Sequence, residues 1–483
     1  MNKGLCRITA FSVMACVILS GCAGKRAEIK DDEKDIAGYD RGITVSNNVT
    51  PDEGSVLTCI AGYEKKGSKI AFIRDMEGAA GFEVIDVDKD KAVSEGKVKY
   101  KKDTENEDAA VGICDLSDVD RNGSYYIRIN NGRVSDVFRI EENIYKRILS
   151  DRLSSVGEEE YSHKDTEDDM KACYLRITDH LLAQEFFPDS ISPAVNGEAR
   201  IIPRTMLPAR GEINELREFI NEDGSFKPPL SHDIGGKYQY SAVFALFAYE
   251  YREYEKGYAG ECADIAEKAF QNAEDRYVDC IDPVKKIYDD KRFWASAQLY
   301  KLTGKAAYRE IAESYVSDTP TGWNEDKCGY LGTLAYLTCY NRIDLDVSEQ
   351  FITALMDEIN TVVRDSFRED YLVAEGTGND ETDQDTPETE NDGKDDEEIS
   401  DTAVKEVFEN ARLAVLGNYI SKNIKYVECA ENHLAYLYGR NMLGKDYAYS
   451  EDAKYYGEPQ MFILAGLIDS YIYEDKQPEA MER

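Results

Sequence analysis

The amino-acid sequence predicts two folded parts of different class, a β-sandwich followed by a region that is nearly all helix. Three observations predict it. Short β-rich runs separated by turn formers fill residues 55–141, and an apolar period of about four takes over beyond residue 142. The third is size: 483 residues, 42% of them hydrophobic, exceed what one ordinary core accommodates.

Taken in order, the chain opens with Lys3 and Arg7 ahead of the apolar run Ile8 to Leu19. That run is shorter than the roughly 20 residues a membrane-spanning helix needs, and it has the layout of a secretory signal over residues 1–21. It ends in Leu19-Ser20-Gly21-Cys22-Ala23, which looks like a bacterial lipobox, so cleavage before Cys22 and acylation of that residue are expected. Residues 22–53 are polar and read as a tether from the membrane. The expected location is exported, at the cell surface, held by lipid rather than by a membrane span.

Residues 54–142 hold the runs Ser55–Ile60, Lys69–Ile73, Gly81–Ile85, Ser124–Ile129 and Asp136–Ile140. Asp120-Arg121-Asn122-Gly123 and Asn130-Asn131-Gly132 supply the turns between them. Roughly seven strands in about 90 residues predict a sandwich. In the second part, 143–476, Val347, Phe351, Leu355, Ile359 and Val363 stripe one face of a helix. Similar segments cover roughly 164–184, 239–257, 260–279, 290–302, 305–316, 328–341, 403–421, 424–439 and 459–474, which predicts a helical toroid or hairpin array. An insertion at 375–401 carries thirteen acidic residues and one lysine and reads as a solvated loop.

The net charge of −37 excludes nucleic acid as a partner. Nothing calls for a cofactor or a metal: the four histidines, His163, His180, His232 and His433, stand apart, and the eight cysteines after Cys22 form no CxxC pair. An exported chain permits a disulfide such as Cys59 with Cys114, and equally permits plain buried thiols.

Several stretches carry a resemblance. In the first part these are Ala61-Gly62-Tyr63 with Gly67-Ser68-Lys69-Ile70-Ala71, Gly81 to Asp86, and Asp115 to Val119 followed by Gly123-Ser124-Tyr125-Tyr126. In the second they are Phe293 to Tyr300, Gly322-Trp323-Asn324-Glu325-Asp326, and Tyr436-Leu437-Tyr438-Gly439-Arg440-Asn441-Met442-Leu443-Gly444. Together they resemble the cellulase-type enzymes of glycoside hydrolase family 9. The resemblance implies an immunoglobulin-like sandwich followed by an (α/α)6 toroid, with a site in a cleft at one end.

Inverting hydrolysis needs a carboxylic acid for the leaving oxygen and a carboxylate to activate water, roughly 6.5–9.5 Å apart. The family supplies the base from an Asp-Ala-Gly-Asp motif ahead of Lys-Tyr. Here Gly236-Lys237-Tyr238 is preceded by Ser231-His232-Asp233-Ile234-Gly235, so Ser231 and Ile234 occupy the aspartate places in strict register. Asp233 is the carboxylate in that loop, readable as a relocated base or as a helix cap. Glu458, opening the helix at Glu458-Pro459-Gln460-Met461, takes the place of the acid, where a glutamate also suits a helix start. The family's sugar-gripping His-Arg pair has no counterpart between Tyr447 and Glu458. Tyr238, Tyr240, Tyr455 and Tyr456 flank the expected cleft as candidate sugar platforms, whereas Trp294 and Trp323 read as core. The resemblance implies a surface hydrolase acting on β-glucan-type polysaccharide or oligosaccharide. The missing aspartates leave a non-catalytic glycan-binding or scaffolding relative as the alternative.

Overall fold

A computed structural model describes residues 55–74, 79–101, 111–155, 164–191, 202–315, 327–369, 371–374, 399–455, 457 and 459–475. The signal and tether, Cys22, His163, Trp323, residues 375–398 of the acidic insertion, Tyr456 and Glu458 lie outside the described residues.

The first part is a two-sheet sandwich. Strands β1 (Val56–Leu57), β3 (Ile70–Ile73), β7 (Val111–Asp115) and β6 (Lys99–Lys101) form one sheet in that order. Strands β2 (Tyr63–Glu64), β9 (Phe138–Glu141), β8 (Gly123–Ile129), β4 (Gly81–Asp86) and β5 (Lys91–Lys97) form the other. The sequence runs map onto β1, β3, β4, β8 and β9. β5 and β6 each stand at one edge of their sheet and are lysine-rich, which discourages pairing with another chain. Tyr125 of β8 donates its hydroxyl to Arg121 O at 2.9 Å, a turn back to the chain four residues upstream of the kind that closes immunoglobulin-like sandwiches. Cys59 and Cys114 are both buried free thiols, not a disulfide; burial pushes each up to about 12.

The second part is helical. Setting aside two single-turn pieces, twelve helices follow among the described residues. They are α1 (Ile144–Ser155), α2 (Glu167–Phe186), α3 (Met206–Leu216), α4 (Ile234–Tyr251), α5 (Lys256–Tyr277), α6 (Asp289–Thr303), α7 (Ala306–Ser314), α8 (Cys328–Leu337), α9 (Leu345–Ser366), α10 (Asp401–Ser421), α11 (Ile424–Leu437) and α12 (Met461–Asp475). None is long and apolar enough to cross a membrane.

Inner and outer helices differ in how much of their circumference is buried. Every residue of α4 from Gly235 to Tyr251 is buried, as are all ten of α8, the mark of a helix covered on all sides. The stripe of α9 buries Phe351, Leu355, Ile359 and Val363 and leaves its other face wet. Each such side chain contributes ~1.5–3 kcal/mol by leaving water. Helices α2, α4, α6 and α8 pack one on the next as inner helices, the Lys327–Glu409 ion pair bridges α8 to α10, α10 packs on α12, and α12 closes the ring against α2. The outer helices pack behind them, giving the (α/α)6 toroid. Glycines let the ring tighten: a Cβ on Gly466 of α12 would stand 2.1 Å from Val415 Cγ1 of α10. Trp294 is buried in α6, as its position in the sequence implies.

The two parts share one contiguous core. Arg440, 1% exposed, donates to Ile70 O of the sandwich at 3.3 Å and to Asn432 O and Oδ1 at 3.0 Å, with its guanidinium 4.8 Å from the Phe72 ring centroid. Asn441 accepts from Leu443 N and Lys445 N, fixing the turn that follows. The segment that carries the clearest family resemblance therefore lies at the seam between the two domains.

Candidate functional site

Inner helices alternate with outer ones, so all six run in one direction and their N-termini meet at one end of the toroid. That end gathers backbone N–H groups and partial positive charge, favouring carboxylates and polar ligands. The loop before α4 delivers Asp233 there. Asp233 is the N-cap, and its Oδ1 accepts from Gly236 N at 2.8 Å. A Cβ on Gly236 would lie 2.1 Å from Asp233 Oδ2, so glycine is what allows the carboxylate to fold onto the helix start. The capping role expected of this residue is present in full. Ser231 gives its carbonyl to Lys237 Nζ at 3.1 Å, and Ile234 packs against the main core. Burial lowers the Lys237 pKa, opposed by the nearby Asp233 charge.

A second carboxylate lies in the ring, unannounced by the motif comparison. Asp179 of α2 is 1% exposed and accepts from Arg412 Nη2 of α10 at 2.7 Å. It also accepts from Met461 N at 2.6 Å and Phe462 N at 3.3 Å, the first amides of α12. Arg412 further approaches Glu409 at 3.6 Å, and Glu409 pairs with Lys327 at the start of α8 at 3.2 Å. These contacts join α8 to α10 and α10 to α12. Asp179 and Glu409 are thereby both paired with cations. The sequence signal for Asp179 is a charge amid Ile177, Leu181 and Leu182, a place where a helix buries only paired groups.

On inner helices the Tyr174 hydroxyl, Gln239 Oε1 and Gln298 Nε2 are buried without a hydrogen-bond partner among the described residues. Groups of this kind are satisfied by ordered water or ligand hydroxyls. No cluster of three or more His, Cys, Asp or Glu suited to a metal occurs among the described residues.

The expected sugar platforms need correcting. Tyr238 and Tyr240 are 0% exposed. Tyr238 donates to Glu274 Oε1, which Arg292 also holds, tying α4 to α5 and α6. Tyr240 donates to Leu216 O at 2.8 Å and stacks on Phe244 at 4.4 Å. Both sit on a helix buried all round, so no ring face is left for a sugar. Tyr455 is likewise buried, its hydroxyl on Asp401 and its amide on Tyr447 O at 2.9 Å. Glu458 and Tyr456 lie outside the described residues. Beyond them, Gln460 is buried and receives the Tyr438 hydroxyl.

Comparison with known proteins agrees with this architecture. Residues 60–133 match the family pattern described as "Cellulase N-terminal ig-like domain", and residues 230–467 match "Glycosyl hydrolase family 9". No curated protein matches the chain in sequence. A metagenome-derived glycoside hydrolase family 9 endoglucanase superposes with a TM-score of 0.66 at 15% identity, covering 86% of this chain and 98% of that one. The Bacteroides ovatus GH9 structure gives 0.64 at 16% identity, covering 86% and 99%. An endoglucanase from Alicyclobacillus acidocaldarius gives 0.62 at 18% identity, covering 83% and 85%. At these identities the likeness to the solved structures is one of fold.

Proposed function

Because the chain belongs to glycosyl hydrolase family 9, behind a cellulase-type immunoglobulin-like domain, we propose that it acts on β-glucan-type polysaccharide at the N-terminal end of its inner helices. In this reading Glu458 protonates the leaving oxygen, and Asp233 is the carboxylate that activates water with inversion. The supporting observation is the family 9 match over 230–467, which contains both residues. We place the protein at the cell surface, held by lipid on Cys22. The solved endoglucanases share the fold, which alone does not carry their chemistry over.

A specific observation favours a second reading, glycan binding without turnover. The Asp233 carboxylate already serves the Gly236 amide, and Ser231 and Ile234 stand where the family has aspartates. The deciding experiment is reducing-end release from soluble mixed-linkage and cellulosic β-glucans by residues 23–483. Turnover that falls by about 10²-fold or more in Glu458→Gln establishes the hydrolase. No turnover with glycan retained in a pull-down establishes the binder, and no turnover with no retention rejects both. Loss of membrane association in Cys22→Ser tests the anchor; retention in the membrane fraction rejects it.

A further inference from the structure

Away from the ring's N-terminal end, one buried carboxyl joins three separated segments of the chain. Glu431 of α11 is 5% exposed. Its Oε2 accepts from Ser68 N of the sandwich at 3.0 Å. Its Oε1 accepts from the Tyr145 hydroxyl of α1 at 3.0 Å and from the Tyr471 hydroxyl of α12. The two tyrosine rings stack with centroids 6.3 Å apart. The sandwich loop closes onto this group so tightly that a Cβ on Gly67 would lie 2.4 Å from Glu431 Oε1.

The charged neighbours do not pair with it directly. Lys69 spends its ammonium on Lys65 O at 2.8 Å and Gly67 O at 2.9 Å. Arg440 spends its guanidinium on Ile70 O, Asn432 O and Asn432 Oδ1. Glu64, also buried, accepts from Lys65 N and Ile144 N. With Tyr145 and Tyr471, these are the titratable groups that act on Glu431 or feel its charge most strongly. All three donors to Glu431 favour its ionised form, yet burial outweighs them and pushes the carboxyl up to about 7.

We propose that the joint between sandwich and toroid is proton-responsive, closing more firmly when Glu431 takes up a proton and loosening when it ionises. The sign follows from linkage. Opening the joint returns Glu431 to water and to its usual 4.5, so the closed form binds the proton more tightly. Between 4.5 and about 7 the closing equilibrium therefore falls by about tenfold per pH unit, and above that it levels off.

Hydrogen exchange of the Ser68 and Ile144 amides in residues 23–483, expressed as protection factors from pH 5 to 8, tests this. The wild type is expected to lose protection up to about pH 7 and then level off, while Glu431→Gln stays flat between pH 6 and 7.5. Tyr471→Phe removes one donor to the carboxylate and is expected to move the loss to higher pH. This variant decides the matter if Glu431→Gln does not fold. A wild-type profile without the fall, the same fall in Glu431→Gln, or an unmoved fall in Tyr471→Phe overturns the proposal.

Discussion

The carboxylate of Asp179 and the guanidinium of Arg412 meet at 2.7 Å between two inner helices, and neither side chain is more than 7% exposed. A pair so buried gains little over an apolar pair of the same shape, but losing one member strands the other's charge. Asp179→Ala is expected to destabilise the fold by ~3–5 kcal/mol, read as a lower denaturation midpoint. Replacing both residues with apolar ones is expected to recover much of that loss.

Asp233 separates capping from chemistry in one experiment. Asn caps a helix about as well as Asp, whereas Ala does not. Asp233→Ala is expected to cost ~1 kcal/mol in unfolding free energy, and Asp233→Asn close to nothing. If turnover exists and uses this carboxylate, Asp233→Asn abolishes it with the melting temperature unchanged.

His433 is buried, donates from Nδ1 to Cys429 O at 2.7 Å, and accepts from Ala374 N at Nε2. Burial pushes its pKa from 6.5 down to about 4. The unfolded chain therefore binds a proton that the folded chain refuses between those values. This histidine stabilises fully above pH 6.5, and its contribution is lost as pH falls through that window to 4, by ~3 kcal/mol in all. Denaturant melts of wild type and His433→Gln across pH 4–7 should diverge, the variant having the shallower acid loss.

Gly466→Ala would put a methyl 2.1 Å from Val415 Cγ1 and 3.0 Å from the Phe187 ring. Overpacking of this kind costs ~1–3 kcal/mol. A thermal melt should show the loss, with partial recovery in the double variant Gly466→Ala, Val415→Ala.

Much of the fold is legible in the sequence because local period and burial agree there. The four-residue stripe of Val347 to Val363 lies on α9, and the alternating runs of the first part lie in its sheets. Legibility fails where burial is decided by distant partners. Tyr238 and Tyr240 stand beside the Lys-Tyr motif and look like platforms, yet α4 is enclosed on all sides, which no window of sequence reveals. Asp179 stands among apolar neighbours in sequence, but its partner Arg412, like Glu431, looks like an ordinary surface charge until α2, α10, α11 and the sandwich loop come together. In the candidate site, the sequence offers Ser231, Asp233 and Ile234 ahead of Lys237-Tyr238. The commitment of Asp233 to the Gly236 amide depends on how the loop folds back onto the start of α4.

The seam around Arg440 bears on how such a chain evolves. Its guanidinium reads a carbonyl of the sandwich from within the toroid, and Ile60 N answers Tyr438 O in the reverse direction at 2.8 Å. Exchanging the sandwich for one of another lineage would leave a buried cation and backbone groups without matching neighbours. The two domains are thus matched at the seam by specific backbone and side-chain groups, so a substitution on one side changes what the other side must satisfy.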